Sequence, residues 1–180
     1  MFLDHRTIRK FSTQQVDPQC LNRLITVAQH TATSHFLQSF SIIHITDSAL
    51  RSQIAAISHQ TYVDGNGELL IFVADQYRAD LCADHPNQLS STDKFIQAAS
   101  DTLLAAENLV DAAENQGLGT VILGSILNDP KGSGANSVRD DHLTSYCSYV
   151  EGYAANNASN SSTTENPMRL NSRRVLLRIA

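Results

Sequence analysis

The stretch AAENQGLGTVILGSILNDP, residues 112–130, closes one element, turns, and opens another of a different kind. Upstream of it, Phe95, Ile96, Ala99, Leu103, Ala106, Leu109 and Ala113 recur at intervals of three and four, so the spacing predicts a helix from about Thr92 to Gln116 with these residues on one side. Gly117 suits the end of that helix, where a left-handed backbone costs glycine little. TVILG (120–124) then reads as a strand. Gly124 and Ser125 follow it, and small residues after a strand let a flat ligand come close to the backbone. The Gly-Leu-Gly alone is a weak signal, because it lacks the spacing of a dinucleotide fingerprint.

Working outward, the same two periods recur. Asp17 and Pro18 read as cap and first turn of a helix whose Cys20, Leu21, Leu24, Ile25 and Ala28 fall on one face. Ser34 to Phe40 reads as loop. SIIHITD (41–47) is β-branched and reads as a strand, after which Ser48 is the expected cap of a second helix, ALRSQIAAIS. HQTYVDGNGE carries turn dipeptides. LLIFVAD (69–75) is unbroken and apolar, as expected of a strand buried on both faces. A polar connection follows, from Gln76 to Ser91.

HRTIRKFS (5–12) gathers Arg6, Arg9 and Lys10 beside His5, in a chain of 180 residues whose net charge is -5. One reading is a solvated face whose cations pair with surface carboxylates. The other is a phosphate clamp, since a guanidinium is planar, always charged and grips two phosphate oxygens at once. Thr7 adds a hydroxyl between the two arginines. Thr33, Ser34 and Gln38, placed before a strand, and Gly124 and Ser125, placed after one, add polar and small residues suited to a bound ligand.

Taken in order, HRTIRKFS, the Phe-Leu-Gln loop leading into SIIHITDSALR, HQTYV, LLIFVAD and AAENQGLGTVILGSILNDP resemble the FMN-dependent nitroreductase family, in its NADPH-linked, oxygen-insensitive flavin reductase branch. The resemblance runs from about residue 4 to residue 130. It implies an α+β fold, a mainly antiparallel sheet flanked by helices, in a homodimer with FMN at the interface. His5, Arg6, Thr7 and Arg9 would hold the FMN phosphate and ribityl chain. Thr33 and Ser34 would contact the flavin region. Gln60 would reach the ring or the ribityl hydroxyls. Ile122, Leu123, Gly124 and Ser125 would line the ring. Ser125 departs from the family, which usually has a second glycine there, and its β-carbon would crowd the flavin. The implied activity is ping-pong hydride transfer from NADPH, the co-substrate, through FMN to a nitroaromatic, a quinone or free flavin. No side chain need act as acid or base, so no catalytic residue is assigned.

After Pro130 the character changes. Residues 131–167 are rich in Ser, Asn, Gly and Thr, show no sustained period, and have little apolar surface to offset the entropy of ordering. The family continues here with helix and sheet, a Lys-x-Arg pair on the phosphate and an arm over the partner subunit, and no such features are visible in this chain. Gly152-Tyr153 and Arg173-Arg174 are faint echoes. The division expected is therefore a nitroreductase-like FMN-binding domain over 1–130 and an atypical, poorly ordered tail over 131–180. A truncated or frameshifted remnant of such an enzyme, without turnover and with weak FMN binding or none, is the alternative reading.

Composition narrows the rest. The acidic balance argues against a nucleic-acid binder. No apolar run is long enough to span a bilayer, and the N-terminus lacks a signal-peptide core, so a cytoplasmic protein is expected. Cys20, Cys82 and Cys147 suggest neither a disulfide framework nor a metal site. Cys20 falls on the apolar side of its helix and reads as packed. His30, His35, His44 and His59 lack metal-ligand spacing and read as surface or supporting residues, with no metal expected. Glu107 and Glu114 read as the solvated side of the long helix.

Overall fold

The computed structural model describes residues 5–76 and 91–128, with the strand backbones of 148–155 and 176–179. Helix α1 spans Pro18–Gln29, with the Asp17 carboxylate accepting from the Cys20 N–H at 2.9 Å. Strand β1 is Phe40–Ile45, helix α2 is Ser48–Ser58 and strand β2 is Leu69–Ala74. Helix α3 spans Thr92–Glu114, and strand β3 is Leu118–Ile122, two residues earlier than its sequence suggests. Strands β4 (Ser148–Ala155) and β5 (Leu176–Ile179) complete one sheet in the order β3-β4-β2-β1-β5. Every pairing is antiparallel except that of β1 with β5.

β1 and β2 are buried along their whole length, and their register explains why both read as unbroken apolar runs. Side chains alternate across a strand. Phe40, Ile42, Leu70 and Phe72 join Leu24, Ile25, Leu109 and Ala113 of α1 and α3 in one core. Ile43, Ile45, Leu69, Ile71 and Val73 join Ile54 of α2, Val63, Leu123 and Ile126 in a second core. The sheet is thus covered on both sides, and neither face needs polar residues.

The structure corrects the sequence in three places. Asp47, and not Ser48, caps α2: its carboxylate accepts from the Leu50 N–H at 2.7 Å, and Ser48 is already helical. On α3, Ile96 and Leu103 are exposed while Asp101 and Thr102 are buried. The apolar residues of α3 span a wider arc than α1 and the sheet cover, and buried Asp101 finds backbone donors described below. Thirdly, β4 lies between β2 and β3, in a stretch whose sequence shows no sustained period. A strand bonded on both edges draws on backbone groups that every non-proline residue supplies, and Tyr149, Val150 and Tyr153 favour that conformation. The other residues of 131–180, and with them the expectation of a poorly ordered tail, lie outside the described residues, as does most of the Gln76–Ser91 connection.

Leu109 is fully buried where α3 meets α1 and the sheet. Leu109→Ala is expected to cost about 2–5 kcal/mol of stability. Urea denaturation checks this as a lower midpoint with an unchanged slope.

Candidate functional site

The cationic segment lies against the outer edge of β3. Thr7 forms a parallel bridge with Thr120, and the Ile8 N–H donates to the Thr120 carbonyl at 2.8 Å. Ile8 occupies the space that a side chain at Gly119 would need: a β-carbon there would sit 2.7 Å from Ile8 Cγ1. At the start of the segment, His5 Nδ1–H donates to Glu114 Oε1 at 2.8 Å, and the Thr120 hydroxyl donates to the same oxygen at 2.7 Å. Arg6, Thr7, Arg9 and Lys10 are exposed between and beyond these anchors. Among the described residues, the ion pairs are His5–Glu114 and His44–Glu68, so Arg6, Arg9 and Lys10 face no carboxylate there.

Arg9 follows Ile8 directly along this segment. Ile122 is 41% exposed and Leu123 is buried. Gly124 is exposed, and a β-carbon built on it would meet nothing within 4 Å. Packing within the protein therefore does not require glycine there. Ser125 is half-buried in the short 3-10 turn Gly124–Asn128, which rests on α2 through buried Ile126 and a bond from Asn128 Nδ2 to the Ile57 carbonyl at 3.3 Å.

Gln60 enters from the other side. His59, at φ 54°, ends α2 in the left-handed region, and Gln60 then begins the 3-10 turn Thr61–Asp64. Tyr62 of that turn meets Phe11 edge to face, with ring centroids 6.0 Å apart. A small cavity is lined by Phe11, Tyr62, Val63, Val121 and Leu123 together with Arg51. The turn is tied down by one nitrogen: Arg51 Nη2 donates to the carbonyls of Val63, Gly65 and Gly67 at 3.0, 2.8 and 2.7 Å. Burial pushes the Arg51 pKa below its ordinary value, against the opposing pull of Glu68 and Asp64.

Thr33 and Ser34 lie elsewhere. Ser34–Phe36 is a 3-10 turn in a loop where His35, Phe36 and Gln38 all have positive φ. Such angles strain non-glycine residues. The buried Asp101 carboxylate staples both ends of the loop, accepting from the Ser34 N–H at 3.2 Å and the Ser39 N–H at 3.3 Å. Burial raises the Asp101 pKa, and these two donors oppose that rise. Asp101 and Glu114 sit thirteen positions apart on α3, about 20 Å of helix axis. The structure therefore ties His5–Ile8 to Glu114 and β3, and sets Phe11, the turn after Gln60 and Leu123 around one cavity, while Ser34 bonds Asp101, about 20 Å along α3 from the His5 contact.

Residues 3–140 match the family model described as "Nitroreductase family". The chain belongs to the nitroreductase family. It is 38% identical over 130 residues to an NADPH-dependent oxidoreductase of Staphylococcus aureus, a match covering 69% of this chain and 52% of the relative. The chain thus spans about half the length of the curated relatives it matches. Among solved structures, a nitroreductase of B. subtilis superposes with a TM-score of 0.79 at 28% identity, over 92% of this chain and 69% of the other. An NADPH:FMN oxidoreductase of Vibrio harveyi, complexed with NAD+, superposes with a TM-score of 0.76 at 25% identity, over 97% and 77%. The nitroreductase-like α+β fold expected from sequence is the fold observed.

Three residues have structural roles that their spacing does not announce. Glu114 is not simply solvated, since it binds His5 and Thr120. An acid in the last turn of a helix opposes the helix dipole, and that unfavourable placement was the available sign of a partner. Asp101 falls in register with Ala98 and Ala105, which marks an acid on an inward face. Arg51 gave no comparable signal, because its three acceptors are backbone carbonyls. No cluster of potential metal ligands occurs among the described residues, and no helix there is long and apolar enough to cross a membrane. His44 is buried and bonded to Glu68 at 2.7 Å, and Cys20 packs beside the first core with its thiol donating to Gln116.

Arg51→Ala removes three bonds from a half-buried guanidinium. The expected loss is roughly 1.5–3 kcal/mol, read by denaturant unfolding, with faster amide exchange confined first to residues 61–67.

Proposed function

We propose that this chain binds FMN between residues 5–9 and residues 122–125, and transfers hydride from NADPH to a small acceptor such as a nitroaromatic, a quinone or free flavin. The observation that carries the reading is the pair Arg6 and Arg9, on a segment anchored to the edge of β3 and without a carboxylate partner among the described residues, together with the open space at Gly124, which follows that strand. Uncompensated cations held on a fixed backbone suit a phosphate, which each guanidinium can grip with two bonds. Thr7 adds a hydroxyl, and His5 has a second ring nitrogen beyond the one given to Glu114. Ile122, Leu123, Gly124 and Ser125 offer an apolar and backbone surface to a flat ring, and Gln60 offers an amide to its polar edge or to the ribityl chain. FMN, when bound, supplies the redox chemistry, and the chain supplies binding, orientation and exclusion of water. The NADPH preference rests on the names of the relatives.

A homodimer follows from the same reading. Thr33 and Ser34 stand too far along α3 from the clamp to serve the same cofactor, so they are assigned to the FMN of a second copy. The exposed Phe36, Ile96, Leu103 and Leu104 supply apolar surface for that contact. A remnant without turnover, with weak FMN binding or none, is the second reading. Purification yellow with flavin, followed by steady NADPH oxidation with a quinone, supports the enzyme. Yellow protein without turnover supports the remnant, and colourless protein that takes up no added FMN removes the FMN enzyme and leaves only a remnant without flavin.

Arg6→Ala and Arg9→Ala are each expected to weaken FMN binding by about 1.5–3 kcal/mol, roughly ten- to hundredfold, as measured by titration of flavin fluorescence. Unchanged affinity in both would show that the phosphate lies elsewhere.

Gly124→Val places a branched side chain into space the protein leaves empty. The expected product is folded protein that purifies without flavin. Full flavin occupancy in that variant would show that the ring does not lie against Gly124.

A further inference from the structure

Resting on the FMN reading above, we infer that Glu114 is a positioning residue: one carboxylate oxygen fixes the backbone from which Arg6 and Arg9 reach the phosphate. Glu114 Oε1 accepts from His5 Nδ1 at 2.8 Å and from the Thr120 hydroxyl at 2.7 Å. The two donors lie on opposite sides of the junction, His5 on the N-terminal segment and Thr120 on β3. Thr120 is 1% exposed, while Glu114 and His5 are 19% and 49% exposed, so the bond runs from the interior out to the segment. Three residues on, the segment is fastened again by the Ile8 N–H on the Thr120 carbonyl and by Ile8 in the space beside Gly119. Thr7, bridged to Thr120, belongs to the second fastening, Arg6 falls between the two, and Arg9 directly follows the second. Without the first, the chain ahead of Thr7 would lose its anchor, and more of the ordering of Arg6 would fall to the moment of binding. An ordered guanidinium binds more tightly than a mobile one because that entropy is already spent.

The charge of Glu114 makes the inference testable. A carboxylate near a phosphate is repulsive, so electrostatics alone would have Glu114→Ala tighten FMN binding. Positioning has it weaken binding, and only through the phosphate. The readout is the ratio of riboflavin to FMN dissociation constants in the full chain, since riboflavin carries the same ring and no phosphate. In Glu114→Ala this ratio is expected to fall about tenfold, with riboflavin affinity unchanged and faster amide exchange at Ile8. Glu114→Gln keeps an Oε1 acceptor and is expected to restore most of the ratio. If Glu114→Ala does not fold, Thr120→Val removes one donor at nearly constant volume, and the ratio should fall severalfold. An unchanged or raised ratio in a folded variant, or an equal loss for both flavins, overturns the positioning role. If the unaltered chain binds riboflavin and FMN equally, the phosphate clamp itself fails. That outcome is told apart from failure of Glu114 alone because it appears before any substitution.

Discussion

Everything in this molecule is referred to the pairing of β1 with β2, whose side chains alternate into two separate cores. Ile42 opposite Phe72 faces α1 and α3, and Ile43 opposite Ile71 faces α2 and its following turn. A slip of one residue would exchange the two sets, and each layer would then meet side chains of the wrong shape. The register therefore fixes both coverings at once. Through Leu69, Val63, Leu123 and Ile126 it also fixes where the turn after α2 lies relative to the end of β3. The approach of Val63, in the turn after Gln60, to Leu123 is a consequence of core packing, settled before any ligand enters.

The outer edge of the sheet raises a different constraint. A strand at an edge presents unpaired backbone groups that invite other chains. Here the chain's own N-terminal segment bonds to that edge, at Thr120. The same docking concentrates positive charge from Arg6, Arg9 and Lys10 in one place, where the cations repel one another unless an anion is supplied. Covering the edge and gathering these cations are thus one event, and the lack of a side chain at Gly119 lets Ile8 approach. Glu114 holds this segment through two side-chain donors, whereas Asp101 and Arg51 hold two loops by their backbones. Each of the latter two is a charged side chain, half-buried or buried, that satisfies backbone groups otherwise left unpaired.

Much of this was legible in the residues. α1 was marked by Asp17, Pro18 and an apolar face, and β2 by an unbroken run of aliphatics. The order of motifs from His5 to Pro130 pointed to the family. The cap of α2 was misplaced by one residue because Asp47 and Ser48 are both good caps, and only the backbone angles choose between them. The inward face of α3 was misjudged because Ile96 and Leu103 lie on the margin of an arc wider than its covering. β4 was missed because a strand bonded on both sides needs no strong side-chain pattern to form.

What the sequence by itself determined was local and repetitive: which stretches prefer helix or strand, where cations gather, and which residues are small. Those properties follow from spacing and residue chemistry, and they need no knowledge of the rest of the chain. Only the tertiary structure decided which of them meet. His5 finds Glu114 across 109 positions and Ser34 finds Asp101 across 67, and such contacts arise from how helices lie on the sheet. The tertiary structure alone separates Thr33 and Ser34 from the arginines, because the length of α3, and not any property of those residues, sets the distance between them.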